Sequence, residues 1–346
     1  MRAPIRVLVL GTGQMGSGIC RLVLEKPGLE LVGVFSKRAE RAGMELGQVL
    51  GLPHTLDKYI SVDLRRVLEQ TYPDIAIQAT CSSLVSAVTE IATLIDHNVN
   101  VISIAEEMAN PKQCVPAIAE QIHWQAVSQG VAVLGTGINP GFIFDLLVVT
   151  LTAVCTQVNS ISAQRINDLS PYGPSVLHSQ GVGLSPQAFQ DGINNGTVVG
   201  HIGFTESMNM IAKAVGWNIE RIEQTRVPII TQVVRETPFI KVLPGQVAGC
   251  DHSATAFIKN NAVISLKHPQ QIQPFLEGVQ TGDSIKIQGI PDVALAGSPE
   301  IPGGSGTIAL AVNTIPRVLN AAPGLYSMVD LPVPAAMLAD ARNFIA

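Results

Sequence analysis

The sequence predicts an α/β protein in two parts, a parallel sheet covered by helices followed by a second α+β domain built on an antiparallel or mixed sheet. Three observations carry this. From Ile5 to Gly135, apolar runs rich in β-branched residues alternate with helical patterns, which is how a parallel sheet with crossover helices reads. Those runs are apolar at successive positions, as strands covered on both faces are. After about Thr150 the strand-like segments lengthen and fewer helical patterns separate them, which suits antiparallel pairing. The 346 residues are enough for two such domains. Their expected extents are 1–150 and 151–302, with 303–346 a helix and tail returning to the first.

In order, the first-domain strands are expected at Ile5–Leu10, Leu29–Phe35, Asp74–Ala79, Val99–Ile104 and Val131–Leu134. Helices are expected between them at Met15–Glu25, Glu40–Leu50, Val62–Glu69, Leu84–Asp96 and Cys114–Gln129. In the second domain the strand candidates are Val158–Asn167, Thr225–Glu236, Gly249–Ile258, Ala262–His268 and Asp283–Gln288. Pro/Gly-rich loops are expected at Pro238–Gly249 and Pro291–Gly306, and a last helix over Gly306–Asn320.

Composition narrows the function. With 47% hydrophobic and 14% charged residues, the chain buries aliphatic cores and is not disordered. A net charge of −5 and the lack of a dense Lys/Arg cluster argue against nucleic acid as a partner. The richest apolar stretch, Phe142 to Val154, contains Asp145 and two threonines, so no membrane span is expected. The N-terminus enters a strand directly, without signal-peptide character, and a cytoplasmic location is expected. Five scattered cysteines without metal-ligand spacing read as reduced and structural, and no metal is expected.

The strongest motif is Gly11-Thr12-Gly13-Gln14-Met15-Gly16, directly after the first strand and opening a helix. On an alternating β/α series this is a Rossmann dinucleotide fingerprint. Gly11 permits the turn, Gly13 lets a pyrophosphate approach backbone N–H groups, and Gly16 lets helix and strand pack closely. The second strand ends in Ser36-Lys37-Arg38 where an NAD-selective chain would carry an acid. A hydroxyl and two cations suit a 2′-phosphate, so NADP is the expected cofactor, with NAD as the second candidate.

Ligands in such sheets bind beyond the carboxyl ends of the strands. After the third strand, Thr80 and Ser82 are small and hydroxylic, suited to the cofactor ribose. After the fifth, Asn139 lies in a Gly-rich segment where it could bond a carboxamide or a substrate. After the fourth stand Glu106 and Glu107, two carboxylates in a chain poor in charge. A desolvated carboxylate there could take a proton from an ammonium group or activate water, and of two neighbours only one is expected to face the substrate. In the second domain His178 and His201 lie in Gly-rich stretches and read either as pocket or as structural histidines. Arg165 reads either as a substrate-carboxylate clamp or as a scaffold ion pair, and Phe142, Phe144, Leu177 and Met208 either as an apolar pocket or as core.

Several stretches together resemble the 2,4-diaminopentanoate dehydrogenase family and its related amine dehydrogenases. They are Gly11 to Gly18, Ile104 to Met108, Gly135 to Phe142, Gly200 to Ser207, and Gly303 to Pro334, the last containing Val312-Asn313-Thr314-Ile315-Pro316. The resemblance implies a dihydrodipicolinate-reductase-like second domain whose sheet often forms a homodimer. It implies reversible oxidative deamination of an amine to a ketone or aldehyde plus ammonia, and a catalytic glutamate, the first of the pair, here Glu106. The residues argue against two near relatives. The paired histidines and Ser-Gly-Thr-Ala loop of dihydrodipicolinate reductase are missing, and Glu107 stands where sugar-type oxidoreductases carry the lysine that protonates a carbonyl. An anion in place of a cation suits an ammonium-bearing substrate. The alternatives are a 2,4-diaminopentanoate or other amino-acid dehydrogenase, an alcohol or cyclic-imine oxidoreductase on the same scaffold, or a non-catalytic cofactor-binding sensor.

Overall fold

Residues 2–346 are described by the structure, a computed structural model, and they divide into two units. The first unit comprises residues up to Phe142 together with Gly303–Ala346, the second Ile143–Pro302. The division thus falls after Phe142, ahead of the boundary drawn at 150, and the C-terminal segment belongs to the first unit.

The first unit contains β1 (Ile5–Leu10), α1 (Gln14–Glu25), β2 (Leu29–Phe35), α2 (Leu46–Leu50), α3 (Leu64–Thr71), β3 (Ile75–Gln78), α4 (Leu84–Asp96), β4 (Asn100–Ser103), α5 (Pro111–Cys114), α6 (Pro116–Gln129) and β5 (Ala132–Gly135). The second contains α7 (Leu146–Thr152), β6 (Gln157–Asp168), α8 (Pro174–Ser179), α9 (Pro186–Asn195), α10 (Phe204–Val215), β7 (Arg221–Ile230), β8 (Arg235–Glu236), β9 (Lys241–Val242), β10 (Val247–Ile258), β11 (Asn261–Gln271), β12 (Gly282–Ile290) and β13 (Val293–Gly297). Back in the first unit come α11 (Gly303–Asn313), α12 (Ile315–Leu319) and β14 (Gly324–Tyr326).

The first sheet has the order β14-β5-β4-β3-β1-β2, with every pairing parallel. The chain leaves β1 toward β2 and then crosses to β3 on the other side, so the ends of β1 and β3 flank the point where strand order reverses. A Cβ on Gly11, whose φ is +121°, would stand 2.5 Å from the Ala79 carbonyl, which shows how closely those ends approach. One face buries Leu8, Leu10, Ile91, Leu94, Val101 and Val133 in a continuous aliphatic core. A side chain at Gly18 would strike Ile308 of α11, so that glycine lets the C-terminal helix lie against α1.

Three expected helices are interrupted for local reasons. Gly43, at φ +70°, interrupts Glu40–Leu50, leaving a 3₁₀ turn at Ala39–Arg41 and the short α2. Pro116 lacks an N–H and splits Cys114–Gln129 into α5 and α6. Pro316 divides the last helix into α11 and α12 in the same way.

The second sheet runs β13-β12-β6-β11-β10-β7 and is mixed, because β6 and β11 pair in parallel while its other pairs are antiparallel. Sequence periodicity missed α8, α9 and α10, and it read β13 as loop. Two of those helix starts carry their own signals, Pro at the first turn of α8 and α9 and, for α9, the Ser185 hydroxyl accepting the Ala188 N–H. None of the five cysteines forms a disulfide. Burial pushes the Cys20 and Cys250 thiols up to about 12, which keeps them protonated and inert. Among the described residues no helix is long and apolar enough to cross a membrane, and no cluster of His, Cys, Asp and Glu has the geometry to hold a metal ion.

Candidate active site

Helix α1 is preceded by Gly13, whose backbone is extended and which, without a side chain, caps nothing. A Cβ built there would meet no atom within 4 Å, whereas one on Gly16 would overlap the Gly11 carbonyl. The first glycine of this pair is therefore open space over uncapped N–H groups, and the second is a packing requirement. That cradle fits a dinucleotide pyrophosphate. Thr12 and Ser36, both buried, join their hydroxyls at 3.1 Å and tie the turn to the end of β2. Gln14 is exposed and Met15 half-buried at the mouth of the cradle.

Beyond β2 the Arg38 side chain is exposed. Lys37 is not free. Its Nζ lies 3.1 Å from Glu90 Oε1 and donates to the Ser86 carbonyl at 3.2 Å. Glu90, in the buried phase of α4 with Ala87, Ile91 and Leu94, accepts from the Thr80 hydroxyl at 2.5 Å and the Gln78 amide at 3.3 Å. Thr80 thus turns toward a buried carboxylate that the sequence reading passed over. The signal for Glu90 was there: a charge at a core-facing helical position.

The two glutamates after β4 have different surroundings. They open a 3₁₀ turn, Glu106–Ala109, which packs so closely on β5 that a side chain at Gly135 would overlap the Met108 carbonyl. Glu107 turns its Oε2 to the Leu84 N–H at 2.7 Å and so serves the start of α4. Glu106 is half-buried, and desolvation raises its pKa above the usual carboxylate value, with its own N–H and the exposed Ser82 hydroxyl opposing and Glu107 adding to the rise. Asn139 and Phe142, both half-buried, follow β5, and Asn139 precedes a cis proline.

In the second unit, Phe144, His201, Phe204, His252 and His268 form one cluster of rings with centroids 4.7–6.1 Å apart. His252 and His268 face each other in register on β10 and β11. Nδ1 of His252 accepts the His201 N–H at 2.9 Å, and its Nε2 meets Gln224 Oε1 at 3.0 Å. Burial lowers the pKa of His201 to about 3, of His252 to about 4 and of His268 well below the usual value, with neighbouring imidazoles and cations adding to it. All three are neutral near pH 7. His201 Nε2, Asn167 Oδ1, Gln180 Oε1 and Gln270 Oε1 are buried without a hydrogen-bond partner. His252, His268, Gln180 and Gln270 were missed in the sequence, although three of them occupy the inward phase of alternating strands.

The structure places the other candidate residues of this unit as follows. Arg165 places its guanidinium 2.8 Å from Asp283 and also donates to the Ile301 carbonyl, so its fork is engaged by scaffold groups and not open to a substrate carboxylate. Leu177 packs with Leu169, Val182, Val242 and Ile272 as plain core. Met208 and Phe144 are fully buried. His178 is exposed on the last turn of α8.

The neutral histidines make an acid-stability prediction. A histidine with a depressed folded pKa binds fewer protons folded than unfolded, so stability is lost as pH falls from the unfolded value of 6.5 toward the folded one. For fully buried His252 the loss is on the order of 3 kcal/mol by pH 4. Thermal melts from pH 7 to 4.5 should steepen accordingly, and His252→Asn should shallow them. An unchanged slope in that variant would remove His252 from the account.

Comparison with known proteins agrees with this architecture. Residues 142–346 match the 2,4-diaminopentanoate dehydrogenase C-terminal domain, and residues 5–105 the N-terminal domain of dihydrodipicolinate reductase. The chain is 42% identical over 344 residues to the 2,4-diaminopentanoate dehydrogenase of Acetoanaerobium sticklandii, covering 99% of this chain and 97% of that protein. It is 23% identical to an amine dehydrogenase of Streptomyces virginiae over 95% of this chain and 96% of that one. The solved amine dehydrogenase of Mycobacterium smegmatis superposes with a TM-score of 0.86 at 25% identity, over 97% of this chain and 98% of that one. With the dinucleotide cradle, the paired glutamates after β4 and a match to relatives along nearly the whole length, this chain belongs to the 2,4-diaminopentanoate dehydrogenase family.

Proposed function

We propose that this protein is an NAD(P)-dependent amine dehydrogenase in which Glu106 holds and deprotonates the amine. The observation that carries the reading is the division of labour between the two glutamates: Glu107 serves a helix N-terminus, while Glu106 is desolvated and inclined toward its protonated form. Such a group is a better base toward an ammonium than an ordinary solvated carboxylate. Bound NAD(P) supplies the hydride acceptor. In the overall reaction an amine, water and oxidised cofactor give a ketone or aldehyde, ammonium and reduced cofactor. In the reductive direction the same carboxylate holds ammonia and stabilises the cationic carbon–nitrogen group that forms from the carbonyl.

The substrate is a small amine. 2,4-Diaminopentanoate is the first candidate, because the relative named for it shares 42% of its residues with this chain. Unit 143–302 is assigned to substrate recognition and to homodimer formation, and the protein to the cytoplasm. NADP is the favoured cofactor. Ser36 contributes a hydroxyl, exposed Arg38 an open guanidinium and Lys37 an ammonium at the end of β2, where a 2′-phosphate would lie. Lys37→Ala with Arg38→Ala should weaken NADPH binding by roughly tenfold or more while NADH changes little. Equal losses for both nucleotides would sink the 2′-phosphate assignment.

The test of the function is NADPH oxidation with small ketones and aldehydes near pH 9, with and without ammonium, alongside oxidation of 2,4-diaminopentanoate. Turnover that requires ammonium supports the reading. Turnover of carbonyls without ammonium would replace it with an alcohol dehydrogenase.

A further inference from the structure

Glu90 has no place in the reaction above, yet this buried carboxylate pairs with Lys37, two residues beyond the end of β2. One oxygen, Oε2, is held from the protein side by Thr80 and Gln78, and Gln78 is itself fixed by the Ser103 hydroxyl at 2.5 Å. The other oxygen, Oε1, reaches the ammonium of Lys37 at 3.1 Å. The two ends of this pair differ in exposure: the Glu90 side chain is 7% exposed and held by Thr80 and Gln78, the Lys37 side chain 44% exposed. Beside the pair opens a cleft of about 650 Å³ whose walls include Phe35, Lys37, Leu64, Arg65 and Glu90.

We infer that Glu90 sets the balance between NADP and NAD by competing with the 2′-phosphate for Lys37. The inference rests on the cofactor reading above. With NAD the ribose hydroxyl brings no charge, and Lys37 stays on Glu90. With NADP there are two arrangements. Lys37 can swing to the phosphate, leaving a buried carboxylate without its cation, or it can bridge both, keeping two anions close together. Each arrangement weakens the phosphate complex and leaves the NAD complex untouched. Glu90 therefore holds down a preference that Ser36, Lys37 and Arg38 would otherwise make strong, and it keeps NAD usable. It is a positioning residue for the cofactor, acting through the lysine.

Fluorescence titrations of NADPH and NADH test this without turnover. Glu90→Gln keeps an acceptor for Thr80 and removes the charge. It should tighten NADPH by roughly fivefold, with NADH unchanged within about twofold. Glu90→Asp, which keeps the charge but withdraws it from Lys37, should shift the ratio in the same direction by less. In a Lys37→Met background the selective effect of Glu90→Gln should fall below about twofold. A parallel change for both nucleotides, or a shift undiminished without Lys37, would overturn the role of Glu90. A wild-type protein that binds neither nucleotide would overturn the cofactor reading itself, so the two failures are distinct.

Discussion

Glu106→Gln should lower ammonium-dependent turnover by about two to four orders of magnitude, the range for loss of a positioned acid–base group. Glutamine fills the same volume and can still accept a hydrogen bond from Ser82, so the loss reports chemistry and not shape. Glu107→Ala separates the pair. It should lower stability by about 1 kcal/mol through the uncapped α4 and retain the turnover. Single-turnover kinetics and melts on both variants decide the matter, and the reverse pattern would move the catalytic role to Glu107. The pH dependence adds a sign. Because burial raises the Glu106 pKa, the base form is lost as pH falls, and activity in the deaminating direction should decline through an apparent pKa above the ordinary 4.5. The same shift means that the folded state binds this proton more tightly than the unfolded one. Ionising Glu106 thus lowers stability as pH rises. Glu106→Gln is accordingly expected to melt no earlier than wild type at pH 8 while being nearly inactive, the usual conflict between a desolvated catalytic charge and folding.

The second large effect concerns two glycines of one motif with opposite consequences. Gly16→Ala places a methyl group on the Gly11 carbonyl, and backbone atoms cannot swing aside as a side-chain tip can. A loss of about 3 kcal/mol is expected, read as a lowered urea midpoint. Gly13→Ala meets nothing within 4 Å, and its extended backbone suits alanine. Stability should change by less than about 1 kcal/mol. The new methyl group occupies the space over the α1 N-terminus instead, and both NADPH and NADH should bind roughly a hundredfold more weakly. A stable Gly16→Ala would contradict the packing role of that glycine, and a Gly13→Ala variant with intact cofactor affinity would contradict the assignment of pyrophosphate to this cradle.

The first five strands and the dinucleotide turn were legible in the sequence because each is fixed locally. Apolar runs such as Val7–Leu10 have one stable solution, burial on both faces, and the spacing of Gly11, Gly13 and Gly16 marks a turn in which Gly11 and Gly16 leave no room for a side chain and Gly13 keeps the helix N-terminus open. The Glu106-Glu107 pair was equally visible as charge at a strand end. Which of the two bears the chemistry was not legible from spacing, since it depends on Leu84, 23 residues earlier, offering its N–H to Glu107.

The same reason separates the remaining successes from the misses. Lys37 and Arg38 announced a basic strand end, but the counterion of Lys37 comes from α4, 53 residues on, and only the packing of that helix reveals that the ammonium is shared. Arg165 and the ring cluster around His201 depend on the pairing of β6, β11, β10 and β12, which no local pattern encodes. Sequence periodicity determines which faces are buried and which turns are tight. The partner of each buried charge is set by contacts between distant segments, and for this protein those contacts, Leu84 with Glu107, Glu90 with Lys37 and Asp283 with Arg165, decide what each charged residue is free to do.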